Sequence, residues 1–509
     1  MELQYSFLAI TLLPFLLLWL AKQKIKVSRA MVHKQPPGPW KLPLLGNLHQ
    51  LAMAGSLPHH ALRDLAHKYG PLMYLQLGEI HAMVVSSPDM AKEIMKTHDL
   101  AFANRQQTLA AQIMFYGNKD IVFAPYGDYW RQMRKVCTLE LFSAKRVQSF
   151  SYVREDEVAK LIQSIRFSTP KGSPINFSKS VFSLLSALVS RTVWGKKSNY
   201  EDEIMPLLQK TMEMVGGFDV ADLFPSLKPL HLITRKKAKL EGMRKKLDKI
   251  LENVINDNQS NHGKDETLID VLLRVKQSSN LDIPITIENI KAVLWEMFGA
   301  GTDSSATVIE WAMSELMKNP RVMEKTQVEI RKAFKGKKII IETDLQELSY
   351  FKLVIKETLR LHPPVPLLLP RECRETSMIG GYEISVNTKV IVNAWALGRD
   401  PNLWYDAEKF IPERFHDTSF DFRGNNFEYL PFGAGRRICP GILLGIANVE
   451  LSLAALLYHF DWELPNSMKP DDLDMIEHFG STVGRKNSLY LIPTPYDYSL
   501  HHDVHVLTY

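Results

Sequence analysis

Along most of this chain, apolar positions recur every three to four residues, the spacing of a helix with one buried face. The longest such stretch, Thr286 to Lys318, predicts a single helix of about thirty residues, about 50 Å at 1.5 Å per residue, closed by Pro320. A helix that long must cross the whole domain. Shorter helical patterns cover Lys352 to Leu361 and the very apolar run Ile442 to Tyr458. Strand-like alternation is confined to short runs. Met73–Leu77 and Ala82–Val85 flank Gly78-Glu79 and predict a hairpin, and further strands are expected near Lys389–Val392 and Ser488–Ile492. The sum is one mostly α domain with a small β-sheet region. Polar Asn256–Glu266 is expected as a surface loop, basic Arg235–Lys246 as a solvated helix face, and Gly484-Arg485-Lys486 as a turn.

The first residues break this pattern. Phe7 to Ala21 carries no charge, and none falls between Glu2 and Lys22, close to the roughly 20 residues that span a bilayer. Lys22, Lys24, Lys26 and Arg29 follow at once, with no small-residue cleavage site. We expect an uncleaved membrane anchor at 1–21, the downstream chain held on the cytosolic side. A basic, proline-rich hinge at 22–39 ends in Pro36-Pro37-Gly38-Pro39, and the globular domain occupies 40–509.

Composition adds exclusions. A formal charge of +6 on 509 residues, without clustered basic stripes, argues against nucleic acid. Three cysteines do not make a disulfide framework and suit a reducing compartment. The terminal His501-His502-Asp503-Val504-His505 reads as a tail, not a metal site.

One cysteine stands apart. Phe432-Gly433-Ala434-Gly435-Arg436-Arg437-Ile438-Cys439-Pro440-Gly441 is a glycine-rich turn that ends in a thiol at the start of a helix. Backbone N–H groups and the helix dipole favour a thiolate there. A zinc site would need further ligands nearby, and no second cysteine lies within fifty residues. Cys137 and Cys373 read as inert core residues. The best reading of Cys439 is an axial thiolate ligand to haem iron. In the long helix, Phe298-Gly299-Ala300-Gly301-Thr302-Asp303-Ser304-Ser305 places two glycines mid-helix, each costing about 1 kcal/mol. Small residues there would let a flat or diatomic group lie against the helix, and Met297, Gly301, Ser304 and Val308 share a face.

These segments resemble the cytochrome P-450 family. Its cysteine signature, Phe-x-x-Gly-x-Arg-x-Cys-x-Gly, is filled by Phe432, Gly435, Arg437, Cys439 and Gly441. Its Ala/Gly-Gly-x-Asp/Glu-Thr-Thr/Ser pattern is matched by Ala300, Gly301, Asp303 and Ser305. Ser304 stands where the family usually has threonine, keeping the hydroxyl without the methyl. The resemblance implies the P-450 fold with an N-terminal transmembrane helix, haem b on Cys439, and proton delivery to dioxygen by Asp303 and Ser304. It implies haem-propionate contacts from Trp130 and Arg134 (four apart on one helix face), Arg371 and Arg437. It also implies a buried Glu357–Arg360–Arg414 cluster that holds the cysteine loop.

Pocket walls expected by position are the loop Leu109–Phe115 (with Ile113), Met297, Ala300, Gly301, Val365, Leu367, Thr482 and Val483; an apolar pocket of this kind takes a lipophilic neutral substrate. With no flavin or nicotinamide fingerprint, electrons would come from an NADPH–cytochrome reductase, meeting Arg131, Lys135 and Arg436. The stretches Gly217–Ser226 and Asn425–Gly433 are similar to the plant microsomal (A-type) subfamily rich in terpenoid hydroxylases. The expectation is therefore O2-dependent hydroxylation of a sesquiterpene or diterpene at the endoplasmic reticulum. An alkaloid or phenolic substrate, rearrangement without oxygen insertion, and a non-catalytic haem carrier are the alternatives.

Overall fold

A computed structural model describes residues 35–497 except 54, 56, 169, 171, 196–200, 216–219, 228–234, 261–265, 279–280, 338 and 481. The expected anchor, the first part of the hinge, Gly217 to Asp219 and the histidine tail lie outside the described residues.

The long helix runs from Ile287 to Lys318. Its start is fixed by a capping box: the Asn289 N–H donates to Thr286 Oγ1 at 3.3 Å, and the Thr286 N–H donates to Asn289 Oδ1 at 2.7 Å. Trp295, Ile309, Trp311 and Leu316 are fully buried along it, because it is packed between helix Phe177–Trp194 and helix Ile442–His459. Helix Ile442–His459 is long and apolar enough to cross a membrane, but its residues from Ala447 on, all but Glu450, are buried in the core. Its apolar composition serves packing.

The expected hairpin forms antiparallel with Leu72 opposite Val85 and Leu77 opposite Ile80. Lys389–Val392 adds parallel to its second strand, and Arg371–Glu372 antiparallel beyond that, giving one four-stranded sheet. Smaller strand pairs complete the β region, among them Glu477–Phe479 with Val483–Arg485 near the C-terminus.

Several local expectations need correction. Asn256–Ser260 is not loop but the end of helix Lys236–Ser260, because the apolar spacing of Leu247, Leu251, Val254 and Ile255 carries that helix past the polar residues. Leu109–Met114 is a helix capped by Thr108, whose Oγ1 accepts from the Ala111 N–H at 3.3 Å. Val483–Arg485 is a strand, not a turn. The last residues of the expected hinge are held by the sheet. The Tyr74 N–H donates to Pro37 O at 2.8 Å, and a Cβ on Gly38 would lie 2.1 Å from Tyr74 O. From Pro37 on, the chain is seated against the sheet.

Candidate active site

Between the cysteine turn and the middle of the long helix lies a cavity of about 430 Å³. Phe432, Gly433, Arg437, Cys439 and Gly441 form one side; Met297, Ala300, Gly301, Asp303, Ser304 and Ser305 form the other. Ala300 is the helix residue most open to this space, as its single methyl would suggest.

The cysteine turn is held by its own backbone. A short 3-10 turn, Gly435–Arg437, leads to Cys439, whose N–H donates to Phe432 O at 3.0 Å. Gly435 has φ +68°, and a Cβ on it would lie 2.1 Å from Met95 O and 2.7 Å from Asp99 Oδ1. The glycine is therefore required where the turn meets the segment around Met95, rather than for approach to a cofactor. Asp99 fastens that junction: Oδ2 accepts the Arg436 N–H at 2.8 Å, and Oδ1 accepts Arg371 Nη1 at 2.7 Å. Arg371 also donates to Ala434 O at 2.7 Å. Burial pushes the Cys439 thiol up, while the Gly441 N–H and the Arg134 guanidinium pull it down.

Arginines crowd one edge of the cavity. Arg437 donates to the carbonyls of Ala103, Ile121 and Ala124 and lies over the Trp130 ring at 4.3 Å. Arg134 donates to Ile438 O. Trp130 itself does not line the cavity, and its N–H donates to Ile121 O at 2.9 Å. Arg105, which sequence reasoning missed, is 6% exposed, lines the cavity and donates to Val122 O and Pro370 O. Burial, then repulsion from Arg437 and Arg371, pushes Arg105 well down; burial and Arg371 bring Arg437 to about 9. Among the described residues, the nearby carboxylates offset this charge only in part. Asp99 is spent on Arg371 and the turn, and burial pushes Asp120 and Glu296 up toward their neutral forms.

A thiol with a backbone N–H aimed at it, beside a surplus of buried guanidinium, is a donor set that fits a flat metal cofactor with an anionic edge. The residues therefore fit haem: Cys439 as iron ligand, with Arg105, Arg134 and Arg437 as partners for its carboxylates.

On the helix side, Ser304 Oγ donates to Ala300 O at 2.7 Å, which leaves its own oxygen free to accept. Asp303 Oδ2 accepts from Thr482 Oγ1 at 2.7 Å. The two glycines line the cavity and also allow close packing. A Cβ on Gly299 would meet Met212 at 2.6 Å and Leu208 at 2.8 Å; one on Gly301 would meet Val189 at 3.3 Å. Met297, Ala300, Gly301, Val365, Leu367 and Thr482 line the cavity as expected. Ile113 and Val483 do not. The capped helix turns Ile113 toward the core and offers its carbonyl to Arg244, leaving Phe115 to face the cavity. Val483 is buried in its strand, its carbonyl accepting from Trp311 Nε1 at 3.0 Å.

The charge cluster forms as expected. Arg360 grips both oxygens of Glu357 at 2.7 Å, and Arg414 Nε reaches Glu357 Oε1 at 2.9 Å. The three side chains are at most 3% exposed. Arg360 and Arg414 spend their remaining donors on carbonyls of Ala407, Lys409 and Tyr405.

Fold and site together define a haem-thiolate protein: a thiol beneath a cavity, an acid and a hydroxyl on the helix above it. The chain belongs to the cytochrome P450 family, whose model matches residues 36–491. It is 60% identical over 503 residues to cytochrome P450 71D8 of Glycine max, covering 97% of this chain and 99% of that one. It is 54% identical over 498 residues to premnaspirodiene oxygenase of Hyoscyamus muticus, covering 96% and 98%. A zebrafish cytochrome P450 solved with abiraterone superposes with a TM-score of 0.74 at 22% identity, covering 88% of this chain and all of that one, and shows the shared fold. The protein is a plant A-type P450, an oxygen-dependent monooxygenase that carries haem on a cysteine thiolate.

Proposed function

We propose that this protein hydroxylates an apolar plant terpenoid, of sesquiterpene or diterpene size. The observation that carries the reading is the apolar part of the cavity wall, which includes Met297, Ala300, Val365, Leu367, Phe115 and Val189. Such a wall selects by shape and apolar contact, with few polar anchors. Similarity to a premnaspirodiene oxygenase supports it.

When bound, thiolate-ligated haem supplies the reductive splitting of dioxygen and insertion of one oxygen atom into a C–H bond. The chain's own residues do the rest. Arg105, Arg134 and Arg437 neutralise and orient the cofactor's acidic edge. The apolar wall holds the substrate and excludes water. Asp303 and Ser304 accept and pass protons at the cavity face of the long helix, a general-acid task. Electrons come from a separate NADPH–cytochrome reductase. Arg131 and Lys135, exposed on helix Asp128–Val136, and Arg436 at the cysteine turn support its docking on that side. Residues 1–21 anchor the protein in the endoplasmic reticulum membrane and 22–39 connect them to a cytosolic catalytic domain.

The test is turnover by microsomes holding this chain and a reductase, against terpenoid, alkaloid and phenolic panels in labelled dioxygen. Labelled, hydroxylated terpenoid product is expected. Turnover confined to alkaloids or phenolics would overturn the substrate class, and unlabelled product would mean rearrangement.

A further inference from the structure

The C-terminal hairpin, Glu477–Phe479 paired with Val483–Arg485, lies lengthwise on one stripe of the long helix. Among the contacts that seat it, Trp311 Nε1 donates to Val483 O at 3.0 Å, and the Val483 N–H donates to Pro364 O at 2.8 Å. Arg485 reaches Ser314 Oγ at 3.3 Å and sits 5.7 Å over the Trp311 ring. None of these contacts uses Thr482. A Cβ on Gly484 would lie 3.9 Å from Thr307 Oγ1, so the strand backbone rides directly against the helix.

Thr482 stands next to that seat and lines the cavity, together with Phe479 and Gly480. Its hydroxyl meets Asp303, donating to Oδ2 at 2.7 Å, and it lies 3.4 Å from Thr307 Oγ1. An exposed aspartate at mid-helix would swing among rotamers. Here one carboxylate oxygen is occupied by a hydroxyl from a separately anchored strand, which fixes the plane of the carboxylate at the cavity face.

We propose that Thr482 is a positioning residue for Asp303: its hydroxyl holds the acid in the orientation from which protons are passed into the cavity. The proposal rests on the reading of Asp303 as proton donor given above. Because Thr482 also forms pocket wall, a substrate pressing on the hairpin tip changes the aim of the acid. The residue thereby ties substrate fit to the share of reducing equivalents that end in product.

Three variants test this: Thr482→Val, which keeps the shape and removes the donor; Thr482→Ser, which keeps the donor; and Asp303→Asn as reference. Product formed per NADPH consumed is measured. Hydrogen exchange at the Val483 amide and thermal midpoint are measured on the haem-free and haem-loaded protein. Thr482→Val should lower product per NADPH by about tenfold, the weight of one hydrogen bond to a charged group. Thr482→Ser should restore it to within about twofold, and exchange at Val483 and the midpoint should stay at wild-type values in both. Wild-type coupling in Thr482→Val alongside a fall in Asp303→Asn would overturn the positioning role. So would faster exchange at Val483 in Thr482→Val, which would make the hydroxyl a staple for the hairpin. Wild-type coupling in Asp303→Asn would instead remove the proton-donor reading beneath the proposal.

Discussion

Replacing Glu357 with glutamine keeps its shape and removes one negative charge from the middle of two buried guanidiniums. In the native protein Glu357 accepts from Arg360 through both oxygens and from Arg414 and the Ile411 N–H through one. Breaking one buried pair by deleting a partner costs about 3–5 kcal/mol. At about 2 cal/mol/K of unfolding entropy per residue, a domain of this size has roughly 1 kcal/mol/K, so the thermal midpoint falls by only about 3–5 °C. The local effect is larger, because the cluster sits at a junction. Arg360 ties the segment Ala407–Lys409 to its helix, and Trp404, Phe415 and Tyr429 pack together beside it. The Tyr429 hydroxyl donates to Lys356 O at 2.9 Å, three residues before Phe432, the acceptor for the Cys439 N–H. The variant should therefore fold with a modestly lowered midpoint and fail to keep its haem. The assay is the thiolate-type carbon monoxide difference spectrum per mole of purified chain. Wild-type haem content with a midpoint within about 1 °C of wild type would refute the reasoning, since such an outcome needs both guanidiniums to find other partners at no cost.

Gly435→Ala and Gly433→Ala make a graded pair. Both force a positive φ on an L residue, roughly 1–2 kcal/mol, but only position 435 drives a methyl into a carbonyl, so its haem-to-protein ratio should fall further; equal ratios would contradict the packing described. Burial and then Arg166 hold His459 down at about 4, so the folded state keeps it neutral while the unfolded chain takes up a proton near its ordinary value. That stability is present in full above about pH 6.5 and is lost as pH falls toward 4, by up to about 1.4 kcal/mol per pH unit. Midpoints measured from pH 7.5 to 5 should thus decline less steeply in His459→Gln than in wild type, and parallel curves would refute the assignment. Arg105→Leu should lower haem affinity in titrations of the haem-free protein while leaving its far-ultraviolet circular dichroism unchanged; undiminished affinity would remove Arg105 from the cofactor edge.

The parts of this site written locally could be read from sequence. The Thr286 cap, the unbroken apolar period behind it and the closing proline give the long helix to within a residue. The cysteine turn is spelled out in ten consecutive residues. What failed was direction. Trp130 and Arg134 share a face in sequence, but the Trp130 indole N–H donates to Ile121 O, and Arg437, three hundred residues away, lies over the ring. The mid-helix glycines also pack against Leu208, Met212 and Val189, contacts that no local pattern in the chain signals. Arg105 sits in an unremarkable stretch, and nothing near it in the chain signals that Arg371 and Arg437 converge on it. Only the helix Leu109–Met114 left a missed sign, the cap residue Thr108 just before it.

The order in which the ribosome makes these pieces has a consequence of its own. The long helix is complete by Lys318, yet helix Ile442–His459, the cysteine turn and the hairpin that cover it come more than a hundred residues later. At about 5–20 residues per second, its apolar flank stays uncovered for roughly 6 to 25 s during synthesis. Cofactor capture therefore waits for Cys439 and the helix that follows it, and nascent chains stalled before residue 439 should engage holding chaperones and carry no haem.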